Sequence, residues 1–161
     1  MPNLAKIALV CLIFLVSCSA GGGSGYQGPL RDQAILVEGR MFVWEITQAG
    51  QDGALHTADD RHLKNEIVIP VGTRLKIQLK SQDVLHGFFL PTFKLHHRLL
   101  PGEVGEETLE ARRIGSFPFA CSEVCGVGHG QMMGTLRVLS AEDYERWLRE
   151  GSTKTAMEPS G

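Results

Sequence analysis

The stretch CSEVCGVGHGQMMG, residues 121–134, restricts what this chain can fold into more than any other. It sets two cysteines, a carboxylate, a histidine and two methionines on one glycine-rich loop. Such side chains pack poorly as a core and bind late transition metals well. The spacing is C-x3-C-x3-H-x2-M, through Cys121, Cys125, His129 and Met132. A further histidine, His86, stands 35 residues upstream of Cys121, at the head of the apolar run HGFF. A fold for this chain must hold the loop between two elements and decide whether His86 meets it.

The flanking sequence reads as strands. AILVEG and MFVWEI are rich in β-branched and aromatic residues with a glycine between them. NEIVIPVGTRLKIQLKS reads as two strands about a PVG turn, with Leu75, Ile77 and Leu79 alternating. HGFFLP, EETLEAR, SFPFAC and GTLRVLS supply further short strands. Strands of this length and spacing predict an all-β Greek-key sandwich or barrel. TQAGQDGALHTADDRH reads as a solvated polar loop, since its acidic residues miss the EF-hand spacing. SAEDYERWLRE reads as a short C-terminal helix, with Ser140 as N-cap, Asp143 three residues on, and Gly151 at its end. Residues 151–161 read as a polar, disordered tail.

The N-terminus has its own pattern. Lys6 precedes IALVCLIFLV, residues 7–16, which is shorter than the roughly 20 apolar residues of a spanning helix. A charge, a short apolar run and small residues after it fit a secretory signal. LVSC, residues 15–18, resembles the lipobox of bacterial lipoproteins. That resemblance implies a signal peptide over 1–17 and an acylated Cys18; an uncleaved anchor is the alternative. Two or three acyl chains on Cys18 anchor a protein to a membrane stably. Residues 18–32 then form a flexible linker to a domain at 33–150. With Cys11 and Cys18 so used, Cys121 and Cys125 remain. A disulfide is the ordinary use for two cysteines in an exported protein, but here histidines and a methionine compete for them. The net charge of -2 argues against a nucleic-acid partner.

A strand-end histidine with a Cys/His/Met loop between the last two strands is the ligand layout of cupredoxins, where one Cys, two His and an axial Met hold one copper. The second cysteine allows two thiolates to bridge two metals. Zinc on Cys121, Cys125, His129 and His86 is the chemical alternative, though it leaves the methionine without a use. Met133 competes with Met132 for the axial place, and the spacing from His129 favours Met132.

From about residue 37 to 148 the chain resembles the CuA domain of cytochrome c oxidase subunit II. The resemblance rests on VWEI, DGALHTADD, NEIVIPVG, SQDVLHGFFLP, LLPGE, CSEVCGVGHGQM and EDYERWL. It implies a cupredoxin-like fold with two copper ions bridged by Cys121 and Cys125. His86 and His129 would each bind one copper, with Met132 axial to one and the Glu123 carbonyl axial to the other. It further implies electrons entering through Phe42, with Trp44 on the same strand face, and a magnesium ion at the subunit interface through the Glu123 side chain. The implied partners are cytochrome c or a similar small redox protein and the catalytic oxidase subunit I. The implied place is the outer face of a bacterial cell membrane.

On this resemblance the chain is the electron-transfer subunit of a haem–copper terminal oxidase and carries no oxygen chemistry itself. A stand-alone lipid-anchored carrier and a copper delivery protein are the other readings. The sequence also departs from the family. Members usually carry two N-terminal membrane helices, a tryptophan where Phe42 stands, and a lysine and an aspartate after PTF, where this chain has His96, His97 and Arg98. Glu103, Glu106, Glu107 and Glu110 in EVGEETLE form either a docking patch for a basic cytochrome or a solvated strand edge.

Overall fold

A computed structural model describes residues 25–50 and 52–155. The leader, Cys18 and residues 156–161 of the expected tail lie outside these. The strands, in chain order, are β1 (Arg31–Arg40), β2 (Val43–Gln48), β3 (Arg61–Lys64), β4 (Glu66–Pro70), β5 (Thr73–Ser81), β6 (His86–Leu90), β7 (Leu95–Leu99), β8 (Val104–Ala111), β9 (Gly115–Cys121) and β10 (Met133–Leu139), followed by helix α1 (Ala141–Thr155). They form two five-stranded sheets, ordered β3-β2-β1-β5-β8 and β4-β10-β9-β6-β7, which pack as a half-barrel. β1 lies parallel to β5 and β4 parallel to β10, so the chain crosses repeatedly between sheets rather than meandering. The all-β, cupredoxin-like expectation holds.

Alternation explains the layering. In β5, Leu75, Ile77 and Leu79 point inward and are buried, while Arg74 and Lys76 face out. Trp44, Phe88 and Phe119 meet at the centre of the core. Trp44 stands edge-on to Phe88 with ring centroids 5.3 Å apart, a geometry that adds to the burial energy. This aromatic cluster lies directly beneath the end of the barrel where β6 starts and β9 stops.

Four boundaries differ from the sequence reading. β3 takes Arg61 and His62 from the expected polar loop, and β7 forms from KLHHRLL, which carried no strand signal. The expected linker is docked over its last part: the Tyr26 N–H donates to the Arg112 carbonyl at 2.5 Å, and the Arg31 N–H to Gly72 at 2.8 Å. Backbone groups that find partners on a sheet edge cease to be a free tether. α1 runs past Gly151 to Thr155, since one glycine costs a helix only about 1 kcal/mol. Its start is as expected: Ser140 and Asp143 exchange hydrogen bonds of 2.7 and 3.0 Å. Among the described residues no helix is long and apolar enough to cross a membrane.

Candidate metal centre

The ladder brings the donors together. Cys121 ends β9 and lies opposite Phe88 of β6, so His86 at the head of that strand stands beside it. The Cys121 N–H donates to the Met132 carbonyl at 2.9 Å, which closes the loop between β9 and β10 and returns Met132 to the site. His129 sits on a 3-10 turn, His129–Gln131, within that loop.

The result is one continuous set of soft and borderline donors. Cys121 Sγ lies 3.8 Å from His86 Nδ1, 3.8 Å from Cys125 Sγ and 3.2 Å from the Glu123 carbonyl oxygen. Cys125 Sγ lies 3.7 Å from His129 Nδ1 and 3.8 Å from Met132 Sδ. The ligand atoms of His86, Cys121 and Cys125 all fall within 4.8 Å of one another. Both cysteines are free and buried. Met132 is fully buried and lies among these donors, whereas Met133 is exposed.

Burial also sets the protonation. Loss of solvent, with Cys121 alongside, pushes the Cys125 thiol up to about 11. Two adjacent thiolates are unfavourable in that place unless cations join them. This donor set fits copper: thiolates, imidazoles and a thioether, arranged as two halves about a shared pair of sulfurs.

His86 is built in rather than loosely placed. It is fully buried, and its Nε2–H donates to Asp83 Oδ1 at 2.7 Å. The proton therefore sits on Nε2 and the Nδ1 lone pair faces the sulfurs. A side chain at Gly39 of β1 would collide with the imidazole, which is why that strand position is a glycine. Asp83 also accepts from the Met41 N–H at 2.8 Å and the Val84 N–H at 2.7 Å. Burial acts to raise its carboxyl, but the bonds from Met41, His86 and Val84 outweigh it and hold the group below the usual aspartate range. Sequence reasoning missed Asp83; its one signal is an acidic residue three positions before a strand-end histidine.

The aromatic pair separates. β2 begins at Val43, so Phe42 belongs to the preceding turn and does not share a strand face with Trp44. Phe42 is half-buried over the loop, where a side chain at Gly128 would meet its ring. Trp44 is fully buried behind the site: its ring lies 6.1 Å from that of His86, and its Nε1–H donates to the Met132 carbonyl at 3.4 Å. Trp44 therefore supports the site and cannot touch a donor protein.

The Glu123 side chain points away from the sulfurs, and its Oε1 lies 3.2 Å from Arg98 Nε. Magnesium prefers a near-octahedral set of oxygens. One carboxylate already facing a guanidinium does not fit that ion. Two of the four glutamates of the acidic run have partners: Glu107 pairs with His97 at 2.9 Å, and Glu110 with Arg112 at 2.9 Å and Arg74 at 3.8 Å.

Residues 41–138 match the family described as cytochrome C oxidase subunit II, periplasmic domain. Cytochrome c oxidase subunit 2 of Thermostichus vulcanus is 32% identical over 130 residues, covering 81% of this chain and 37% of that protein. The alternative cytochrome c oxidase subunit 2 of Bradyrhizobium diazoefficiens is 31% identical, covering 74% of this chain and 51% of its own length. The chain thus spans about half or less of these curated relatives. The crystal structure of the periplasmic domain of subunit II of cytochrome oxidase from Bradyrhizobium japonicum superimposes with a TM-score of 0.64 at 27% identity, over 78% of this chain and 97% of that one. The donor geometry, the half-barrel and the extent of the match lead to one conclusion: the chain belongs to the cytochrome c oxidase subunit II family, through its periplasmic domain.

Proposed function

We propose that this chain is the electron-transfer subunit of a haem–copper terminal oxidase, with a binuclear copper centre bridged by Cys121 and Cys125. The observation that carries this reading is the convergence of His86, His129, Met132 and the Glu123 carbonyl on the two sulfurs, each within 3.2 to 3.8 Å of one of them. Copper held there would supply a one-electron store.

The chain's own residues do the rest. The two cysteine sulfurs would hold the copper between them, and Asp83 fixes the His86 tautomer so that Nδ1 is free to bind. Gly39 makes room for the ring, while Trp44, Phe88 and Phe119 exclude water from below. Met132 and the Glu123 carbonyl, each close to one of the two sulfurs, would serve as weak donors to the metal. Phe42, packed on Gly126 and Gly128, lies between solvent and the loop and is the point where electrons enter. Met41, next to Phe42, and Val124 and Val127 of the loop stand exposed, apolar groups suited to a small redox protein such as cytochrome c. The acceptor would be a haem in a separate catalytic subunit. The family's periplasmic domain supports an extracytoplasmic place, and LVSC supports a lipid on Cys18 that holds the chain to the membrane face.

Mixing the copper-loaded chain with reduced cytochrome c tests the reading. Rapid electron uptake is expected, slowed by Phe42→Ala with the copper spectrum unchanged. Loss of copper to a thiol acceptor faster than any electron uptake would replace this reading with copper delivery.

A further inference from the structure

The interface cation implied by the family disagrees with the residues this chain presents, and the register shows why. Gly87 of β6 lies opposite Arg98 of β7, and Phe89 opposite His96, so these four positions share one sheet face. A side chain at Gly87 would collide with Ser122 and Glu123. The copper loop therefore crosses the sheet on that face, over the gap that Gly87 leaves. The Ser122 N–H donates to the Gly87 carbonyl at 2.9 Å. From the neighbouring strand, His96 Nε2 meets Ser122 Oγ at 2.8 Å and Arg98 Nε meets Glu123 Oε1 at 3.2 Å. Two side chains of β7 thus grip the two residues that follow Cys121.

We propose that Arg98 is the resident cation of the Glu123 carboxylate. Where the family usually has a lysine and an aspartate after PTF, this chain has His96, His97 and Arg98, and the guanidinium facing Glu123 leaves no need for a divalent ion there. An arginine beside this glutamate makes a neutral pair, which lacks the attraction for a divalent cation that two carboxylates, with a charge of about -2, would exert. The pair is half-exposed and adds little to stability. Its effect is positional: Arg98 holds the Glu123 side chain outward while the carbonyl of the same residue stays 3.2 Å from Cys121 Sγ. Arg98 is then a positioning residue for the axial oxygen. This inference rests on the copper reading only for its spectroscopic arm.

The test uses the full chain, with and without copper, as parent, Arg98→Met, Glu123→Gln and the double variant, together with Arg98→Asp. Manganese(II) serves as the paramagnetic probe for a magnesium site. The parent is expected to leave manganese free, while Arg98→Asp binds it at least tenfold more tightly. Each single variant is expected to shift the copper hyperfine pattern in the same direction, and the double variant no further than either, as for two groups acting as one. Manganese bound by the parent and lost in Glu123→Gln would overturn the proposal. So would single variants that leave the copper signal unmoved, or an Arg98→Asp chain that gains no manganese. Failure of the copper reading itself would show separately, as a parent that does not take up two coppers.

Discussion

The two histidines of the site are built by opposite means. His86 opens a strand, is fully buried, and is held by Asp83, Gly39 and the Trp44 ring. His129 rides a single 3-10 turn in a glycine-rich loop and is only half-buried. One half of the centre is thus an extension of the core, and the other is a loop draped onto it. A site assembled this way can keep one ligand rigid before metal arrives, while the other closes over it.

The largest expected effect separates the two directly. His86→Ala should destabilise the copper-free chain by about 2 kcal/mol or more, from a cavity and from the loss of the imidazole hydrogen bond to Asp83, which keeps its bonds from Met41 and Val84. His129→Ala should change it by less than about 0.5 kcal/mol. Urea unfolding of the two variants measures this, and equal losses would break the comparison. Both variants should still fail to form the shared copper centre.

Next in size is the support beneath His86. Asp83→Asn should weaken copper binding by about tenfold, as for other losses of a carboxylate behind a ligand histidine. A competition titration reads it, and an unchanged affinity would mean that Gly39 and Trp44 orient the ring unaided.

A pH effect follows from protons. The Cys125 thiol is raised to about 11 in the copper-free fold, so copper displaces a proton from it at every pH below that value. Affinity should therefore fall on acidification, by about tenfold per pH unit for each proton released. A pH-independent affinity between pH 6 and 8 would contradict a buried thiol as the resting form.

The smallest change is expected at the cap. Met132→Leu should retain copper and mainly shift the reduction potential, because a weak axial donor tunes more than it holds. Loss of the metal in that variant would make Met132 part of the frame.

The donor loop was legible in the sequence because cysteine, histidine and methionine so spaced have few other uses. The core of β5 was legible for a similar reason, since Leu75, Ile77 and Leu79 alternate without a break. β7 was not: only Leu95 and Leu99 are buried in it, while His96 and Arg98 meet the copper loop and His97 pairs with Glu107 of β8. β3 is a four-residue edge strand with no fully buried position, so its pairing is decided by β2 and not by its own pattern. Trp44 misled through alternation, because the strand starts one residue after Phe42. The contacts of Asp83 and Arg98 depend on a turn and a register, neither of which a linear pattern records.

The central claim is that Cys121 and Cys125 share two metals. Copper analysis with electron paramagnetic resonance on the oxidised, copper-loaded chain addresses it most directly. The account predicts two coppers per chain, with hyperfine structure from one electron shared equally by both nuclei. A single copper with the hyperfine pattern of an electron on one nucleus would contradict it.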